Sequence, residues 1–161
     1  MSVIVSDTSP LHYLILCEEI AILPRLFNQV LIPPTVYAEL VHPNAPLIVS
    51  EWARHIPSWV SVQKPKALDL TLNIDRGELE AICLARETNA SAILIDDFKG
   101  RTVALRCGLL VTGTVGVLEA AAARGWLDLI TVMDKLKRTN ARLSPAMIQA
   151  ALERDQIRRQ K

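Results

Sequence analysis

At 161 residues, half of them hydrophobic, the chain is long enough to bury one substantial core and short for two, so one domain over residues 1–161 is expected, with 126–161 as a C-terminal helical extension. A formal net charge of +1 excludes a global basic footprint, and nucleic-acid contact, if made, must come from a local patch. No apolar run approaches the roughly 18 residues of a membrane span, and no basic region precedes an apolar core at the N-terminus, so a protein of the cytoplasm with no membrane partner is expected.

Val3-Ile4-Val5-Ser6 reads as a first strand ending at Asp7, and Thr8-Ser9-Pro10 as a cap and N1 proline for a helix to about Cys17. Helical spacing resumes at Ile20, Leu23, Leu26 and Phe27, before a second strand at Val30-Leu31-Ile32. Pro33-Pro34 closes that strand and opens a helix over Thr35–Val41, with Val36 and Leu40 inward and Glu39 near its edge, within reach of the strand ends. Between His42 and Asn73, prolines leave room for a helix around 48–55 and an edge strand at 59–62. Asp75 then caps a helix in which Leu79, Ile82, Cys83 and Arg86 recur at helical spacing, with Glu78 in its first turn.

The run Ala92-Ile93-Leu94-Ile95 is apolar and β-branched, as a strand buried on both faces must be, and it delivers Asp96-Asp97 at its end. A helix to about Cys107 stops at Gly108, and Leu109–Thr112 is another strand. Helices from Val115 to Arg124, around 129–138 and from Ser144-Pro145 onward complete the chain. Cys17, Cys83 and Cys107 show no CxxC spacing and read as reduced core residues. The β and α alternation argues a three-layer α/β/α fold around a mostly parallel sheet of about four to five strands.

In open α/β sheets ligands collect outside the carboxyl ends of the strands. Asp7, Glu78 and the Asp96-Asp97 pair fall at that edge or at the start of a helix beside it, with Glu39 near. Taken singly each is an ordinary cap or solvated charge; together, like charges so crowded repel unless a cation lies between them. Oxygen ligands of this kind suit Mg²⁺ or Mn²⁺, which most often work on phosphates. Other chemistries lack their residues. The chain has no GxGxxG or GxxxxGK[ST], Asp7-Thr8-Ser9 lacks the second acid of an Asp-x-Asp phosphatase, and Thr112-Gly113 stands where a receiver domain carries a lysine. His12, His42 and His55 have no metal-ligand spacing.

The segments VIVSDTSPL, VLIPPTVYAEL, DRGELEAICLA, ILIDDFKGR and LLVTGTVGVLEAA, in this order, resemble a PIN-domain protein, closest to the prokaryotic subgroup related to the toxin ribonucleases of toxin–antitoxin pairs. The resemblance implies a parallel sheet flanked by helices, an acidic pocket for one or two Mg²⁺ or Mn²⁺ ions, cleavage of single-stranded RNA, a small antitoxin as partner and a homodimer. It matches Asp7 to the first acid of the family, Glu39 to the second, Glu78 to the third and Asp96 or Asp97 to the fourth. The toxin branch commonly has Asp where this chain has Glu78, and a Thr-x-Asp motif where it has Ile95.

The implied mechanism is metal-assisted phosphodiester hydrolysis, with the ion on Asp7, Glu78 and the Asp96/Asp97 pair and with Glu39 holding an outer water or a second ion. Asp96, first past the buried run, is favoured as ligand over Asp97, which can cap the next helix; aligning the Thr-x-Asp motif by its last residue selects Asp97 instead. Ser9 and Thr114 read first as helix caps and only second as auxiliary hydroxyls that orient a water or a phosphate oxygen. Lys99, Arg101 and Arg106, on one helix after the fourth acid, are candidates for the substrate backbone. The Arg-rich C-terminus reads as a frayed, solvated helix. The competing class is a PIN-like module that binds nucleic acid or a partner without cleaving.

Overall fold

In a computed structural model that describes residues 2–161, β1 (Val3–Ser6), β2 (Gln29–Ile32), β3 (Val60–Val62), β4 (Ala92–Leu94) and β5 (Val111–Thr112) form one sheet. Every pairing is parallel, in the spatial order β3-β2-β1-β4-β5. Strand side chains alternate between two cores, as the pleat requires. Ile4, Val30, Ile32, Val60 and Leu94 join one, while Val5, Leu31, Ile93 and Ile95 join the other. The second core is completed by α5 (Arg76–Glu87) and α6 (Phe98–Arg106), through Ala81, Ile82, Leu84, Ala85 and Ala104.

The larger core takes α1 (Thr8–Leu16), the short α2 (Leu23–Leu26) behind a 3-10 turn, α3 (Pro34–Leu40), α4 (Leu47–Arg54), α7 (Thr114–Ala123), α8 (Leu129–Lys137) and α9 (Pro145–Arg159). The expected three-layer α/β/α architecture is therefore present, with five strands, all parallel. Because β2 and β3 extend the sheet to one side of β1 while β4 and β5 extend it to the other, the chain switches direction between β1 and β4. The carboxyl ends of those two strands flank a crevice, the place where such sheets present a site.

Four local readings change. Asp7 itself is the N-cap residue of α1, which starts at Thr8, so Pro10 is the third helical residue; its missing N–H is harmless there because first-turn donors have no intrahelical acceptor. Strand β5 covers only Val111–Thr112, and Leu110 before it is exposed at the sheet edge. Cys107 is half-buried just past α6, unlike the buried Cys17 and Cys83.

The Arg-rich C-terminus is not frayed. Helix α9 runs unbroken to Arg159, and Arg154 donates to Glu119 on α7 at 2.8 and 2.9 Å. Arg158 reaches the same carboxylate at 3.0 Å, and Arg159 binds Asp128, the N-cap of α8. Among the described residues no helix is long and apolar enough to cross a membrane.

Candidate active site

The register of β1 on β4 sets the site. Ser6 lies beside Leu94, and the Asp7 N–H donates to the Leu94 carbonyl at 2.9 Å, so Asp7 leaves the sheet next to Ile95, one residue before Asp96. Helix α5 brings Glu78 to the same edge by packing on β1 and β4. Its cap Asp75 accepts from the Glu78 N–H at 3.2 Å. From the other side α3 presents Glu39, which accepts from the Thr8 hydroxyl in the first turn of α1.

Glycines measure how closely these groups approach. A Cβ on Gly77 would stand 3.2 Å from Glu39 Oε1, 3.6 Å from Asp7 Oδ1 and 3.7 Å from Asp75 Oδ1, so three carboxylates converge on a point that any larger residue would fill. On α6, a Cβ at Gly100 would meet Ile95 Cδ1 at 2.5 Å and Glu78 Oε2 at 3.0 Å. Glycine at both positions lets the N-terminal turns of α5 and α6 press against the acids.

Electrostatics mark Asp7 and Glu78 as the strained members. Asp7 is 7% exposed and Glu78 6%. Asp7 is pushed up to about 7, chiefly by burial, with the charges of Asp75, Glu39 and Asp96 contributing to the rise and a hydrogen bond from the Thr8 backbone opposing it. Burial, together with the neighbouring Asp75, Asp7 and Asp97, pushes Glu78 up to about 8. Burial and the crowding of like charges both disfavour the ionised forms here.

The adjacent acids part company. Asp96 turns inward: Oδ1 accepts from the Thr114 N–H at 2.8 Å and Oδ2 from the Thr114 hydroxyl at 2.7 Å. Burial raises it above the usual carboxylate range, against those hydrogen bonds and the nearby Arg101 charge. Asp97 is exposed, caps α6 through the Gly100 N–H at 3.0 Å, and lies beside Glu78. Arg101 donates through Nη1 to the Ile95 carbonyl at 2.9 Å. A Cβ on Gly113 would stand 2.5 Å from Asp96 Oδ1 and 2.8 Å from Arg101 Nη1, so Asp96, Arg101 and Thr114 tie the ends of β4 and β5 together across a glycine.

The structure thus brings Asp7, Glu39, Glu78, Asp96 and Asp97 to one edge. It adds Asp75, which sequence reasoning read only as a cap; the signal was its place three residues before Glu78, on the same side of the helix start. Ser9 is half-buried in the first turn of α1, and Thr114 serves Asp96, with Gly113 as the cap residue of α7. The three cations share a helix but not a face. At about 100° per residue, Lys99 and Arg106 lie about 20° apart around α6 while Arg101 is about 140° from Arg106, and Arg101 alone reaches the strand end.

The donors are all oxygens, mostly carboxylate, which is the set that a hard divalent cation takes. Its chemistry fits, and the cradle at Gly77 and the raised Asp7 and Glu78 are what a site wanting positive charge looks like. Among the described residues no three His, Cys, Asp or Glu side chains stand in ready-made coordination geometry. A family model described as PIN domain matches residues 3–156. No curated protein matches the chain.

Proposed function

Because this chain belongs to the PIN-domain family, whose fold is in general that of a nuclease, we propose that it is a metal-dependent endoribonuclease, hydrolysing phosphodiester bonds of single-stranded RNA as the toxin of a toxin–antitoxin pair. The observation that carries this reading is the set of six carboxylates, Asp7, Glu39, Asp75, Glu78, Asp96 and Asp97, gathered at the β1–β4 crevice with two of them raised by burial and mutual repulsion. Acids placed against their own electrostatic preference are characteristic of working sites.

Mg²⁺ or Mn²⁺ would be held by Asp7, Glu78 and the Asp96/Asp97 pair, and when bound supplies Lewis acidity toward the phosphate and acidifies water. The protein does the rest. Glu39, fixed by Thr8, faces Asp7 across Gly77 and orients water on that side. Thr114 and Arg101 hold the β4 end, beyond which the exposed Asp97 stands beside the buried Glu78. Arg101 uses one of its donors on Ile95 and keeps others for a phosphate oxygen. The chain acts as one domain, with residues 126–161 as a buttress on α7, and the same reading makes a small antitoxin and a second copy of the chain its protein partners in the cytoplasm.

One observation favours the non-catalytic module: both Asp96 oxygens are already committed to Thr114. Incubation with single-stranded RNA separates the two. Cleavage with Mn²⁺ that a chelator abolishes supports the nuclease, and intact RNA at every Mn²⁺ concentration supports the module.

A further inference from the structure

We propose that Phe98 is a base-stacking platform for a nucleic-acid strand laid along the outer face of α6, an inference that rests on the nucleic-acid reading above but not on cleavage. Phe98 is 84% exposed, whereas the other phenylalanine, Phe27, packs against the larger core. It is the first residue of α6 and follows the cap Asp97 directly. Its Cα therefore lies about 3.8 Å from that of a site acid.

Position around the helix gives the aromatic ring its company. Taking Phe98 as zero and about 100° per residue, Arg101 lies about 60° to one side, and Arg106 and Lys99 lie about 80° and 100° to the other. Gly100 and Ala104 occupy the opposite, buried side. The helix carries no acid, so its outer arc is an aromatic surface with the exposed Lys99 and Arg106 on one flank and Arg101, anchored to the Ile95 carbonyl, on the other. Single-strand binding sites combine these two elements, a stacking surface for bases and positive charge for the backbone.

A protein partner fits the face less well. Interface cores are depleted of charge, and here Leu105 is the one other large apolar residue on the arc, with cations on either side of it. Lys99 and Arg106 are seven residues apart, about 10 Å along the axis, so a backbone following the helix meets a cation near each end. At the Asp97 end such a strand passes from the platform onto the carboxylates.

The test measures binding by fluorescence anisotropy in chelator, where neither metal nor cleavage contributes, using a short labelled single-stranded RNA and an abasic phosphodiester of equal length. Phe98→Ala should weaken the RNA roughly five- to a hundredfold, Phe98→Trp should restore it, and the abasic strand should bind wild type and Phe98→Ala alike. The proposal is overturned by equal RNA affinity of Phe98→Ala and wild type, by equal losses for RNA and abasic strand, or by a wild-type protein that binds no strand. It is overturned too if the loss is accompanied by a change in sedimentation coefficient, which makes the face a contact between copies of the chain. Phe98-dependent binding without Mn²⁺-dependent cleavage leaves this inference standing and removes the nuclease. Cleavage indifferent to Phe98 does the reverse.

Discussion

At the sheet edge, Asp7 and Glu78 are pushed up by burial and by neighbouring acids, whereas on the helical layer Glu119 and Asp128 are held below the usual carboxylate range. Hydrogen bonds from Arg154 and then Arg158 lower Glu119, and the Thr131 hydroxyl followed by Arg159 brings Asp128 down to about 2. Both regions gather charged side chains from separate elements. In the helical one each acid has a cation, so the cluster fastens α9 to α7 and α8. At the edge, Arg101 faces an excess of carboxylates, so that cluster costs the folded state free energy and holds a place for positive charge. The contrast, more than any single acid, separates scaffold from site.

The largest way to break the comparison is Asp7→Asn. If the edge is a working site, this variant should lose RNA cleavage by several orders of magnitude while its circular dichroism spectrum stays unchanged. Its metal-free melting temperature near pH 8 should rise, since one member of a repelling group is gone. Cleavage at the wild-type rate would remove Asp7 from the chemistry.

Metal and pH probe the same difference without mutation. A carboxylate raised in the folded state keeps a proton that the unfolded chain has released, so Asp7 and Glu78 make metal-free stability fall as pH rises from about 4, the unfolded value, through about 7 to 8. Glu119 and Asp128 act with the opposite sign, contributing above about 4 and losing their contribution as pH drops through their lowered values, about 2 for Asp128. Metal-free protein should therefore melt highest near pH 4 to 5. Mn²⁺ at about 100 times its dissociation constant should add roughly 2.7 kcal/mol and move that maximum upward. A melting temperature unmoved by millimolar Mn²⁺ contradicts an edge built for a cation.

Next in size is the division of labour between the adjacent acids. Asp96→Ala leaves the buried Thr114 N–H and hydroxyl without their acceptor, at a cost of about 1–3 kcal/mol. Asp97→Ala removes a cap, at about 0.5–2 kcal/mol, partly offset by relief of Glu78. Denaturation of the two metal-free variants should rank Asp96→Ala as the less stable. With calorimetry of Mn²⁺ binding added, a variant that keeps its affinity identifies the residue that positions rather than ligates.

The edge was more legible in the sequence than the scaffold around it. Asp7 and Asp96-Asp97 are visible because an acid after a continuous apolar strand has one place to go, the carboxyl end of the sheet. Glu39 and Glu78 were less firmly placed, since helix periodicity alone leaves them at an edge and in a first turn; the company of the strand-end acids singled them out, and the family resemblance then matched each to a position. Asp75 was hidden by being correctly read as a cap; a cap's charge still reaches its neighbours. The C-terminal arginines were misjudged because their partners Glu119 and Asp128 lie 31 to 39 residues earlier in the chain, a separation that no local pattern reports. The shortness of β5 was equally unreadable, because pairing at a sheet edge depends on a single neighbour.

The smallest effect tests the paired region. Glu119 is shared by Arg154 and Arg158, whose side chains are 56% and 34% exposed, so water and salt screen the interaction. Glu119→Gln keeps the shape and an acceptor oxygen but removes the charge, and should lower stability by about 0.2–1 kcal/mol in low salt. Raising ionic strength weakens this attraction and the repulsion among the edge acids alike, but with opposite consequences. In metal-free wild type near pH 8 the two changes oppose each other. In Glu119→Gln the attraction is already reduced, so added salt should stabilise the variant more than the wild type, and the gap between their melting temperatures should narrow. A gap that widens with salt would place the net repulsion on the helical layer, and the contrast between the two regions would fail there.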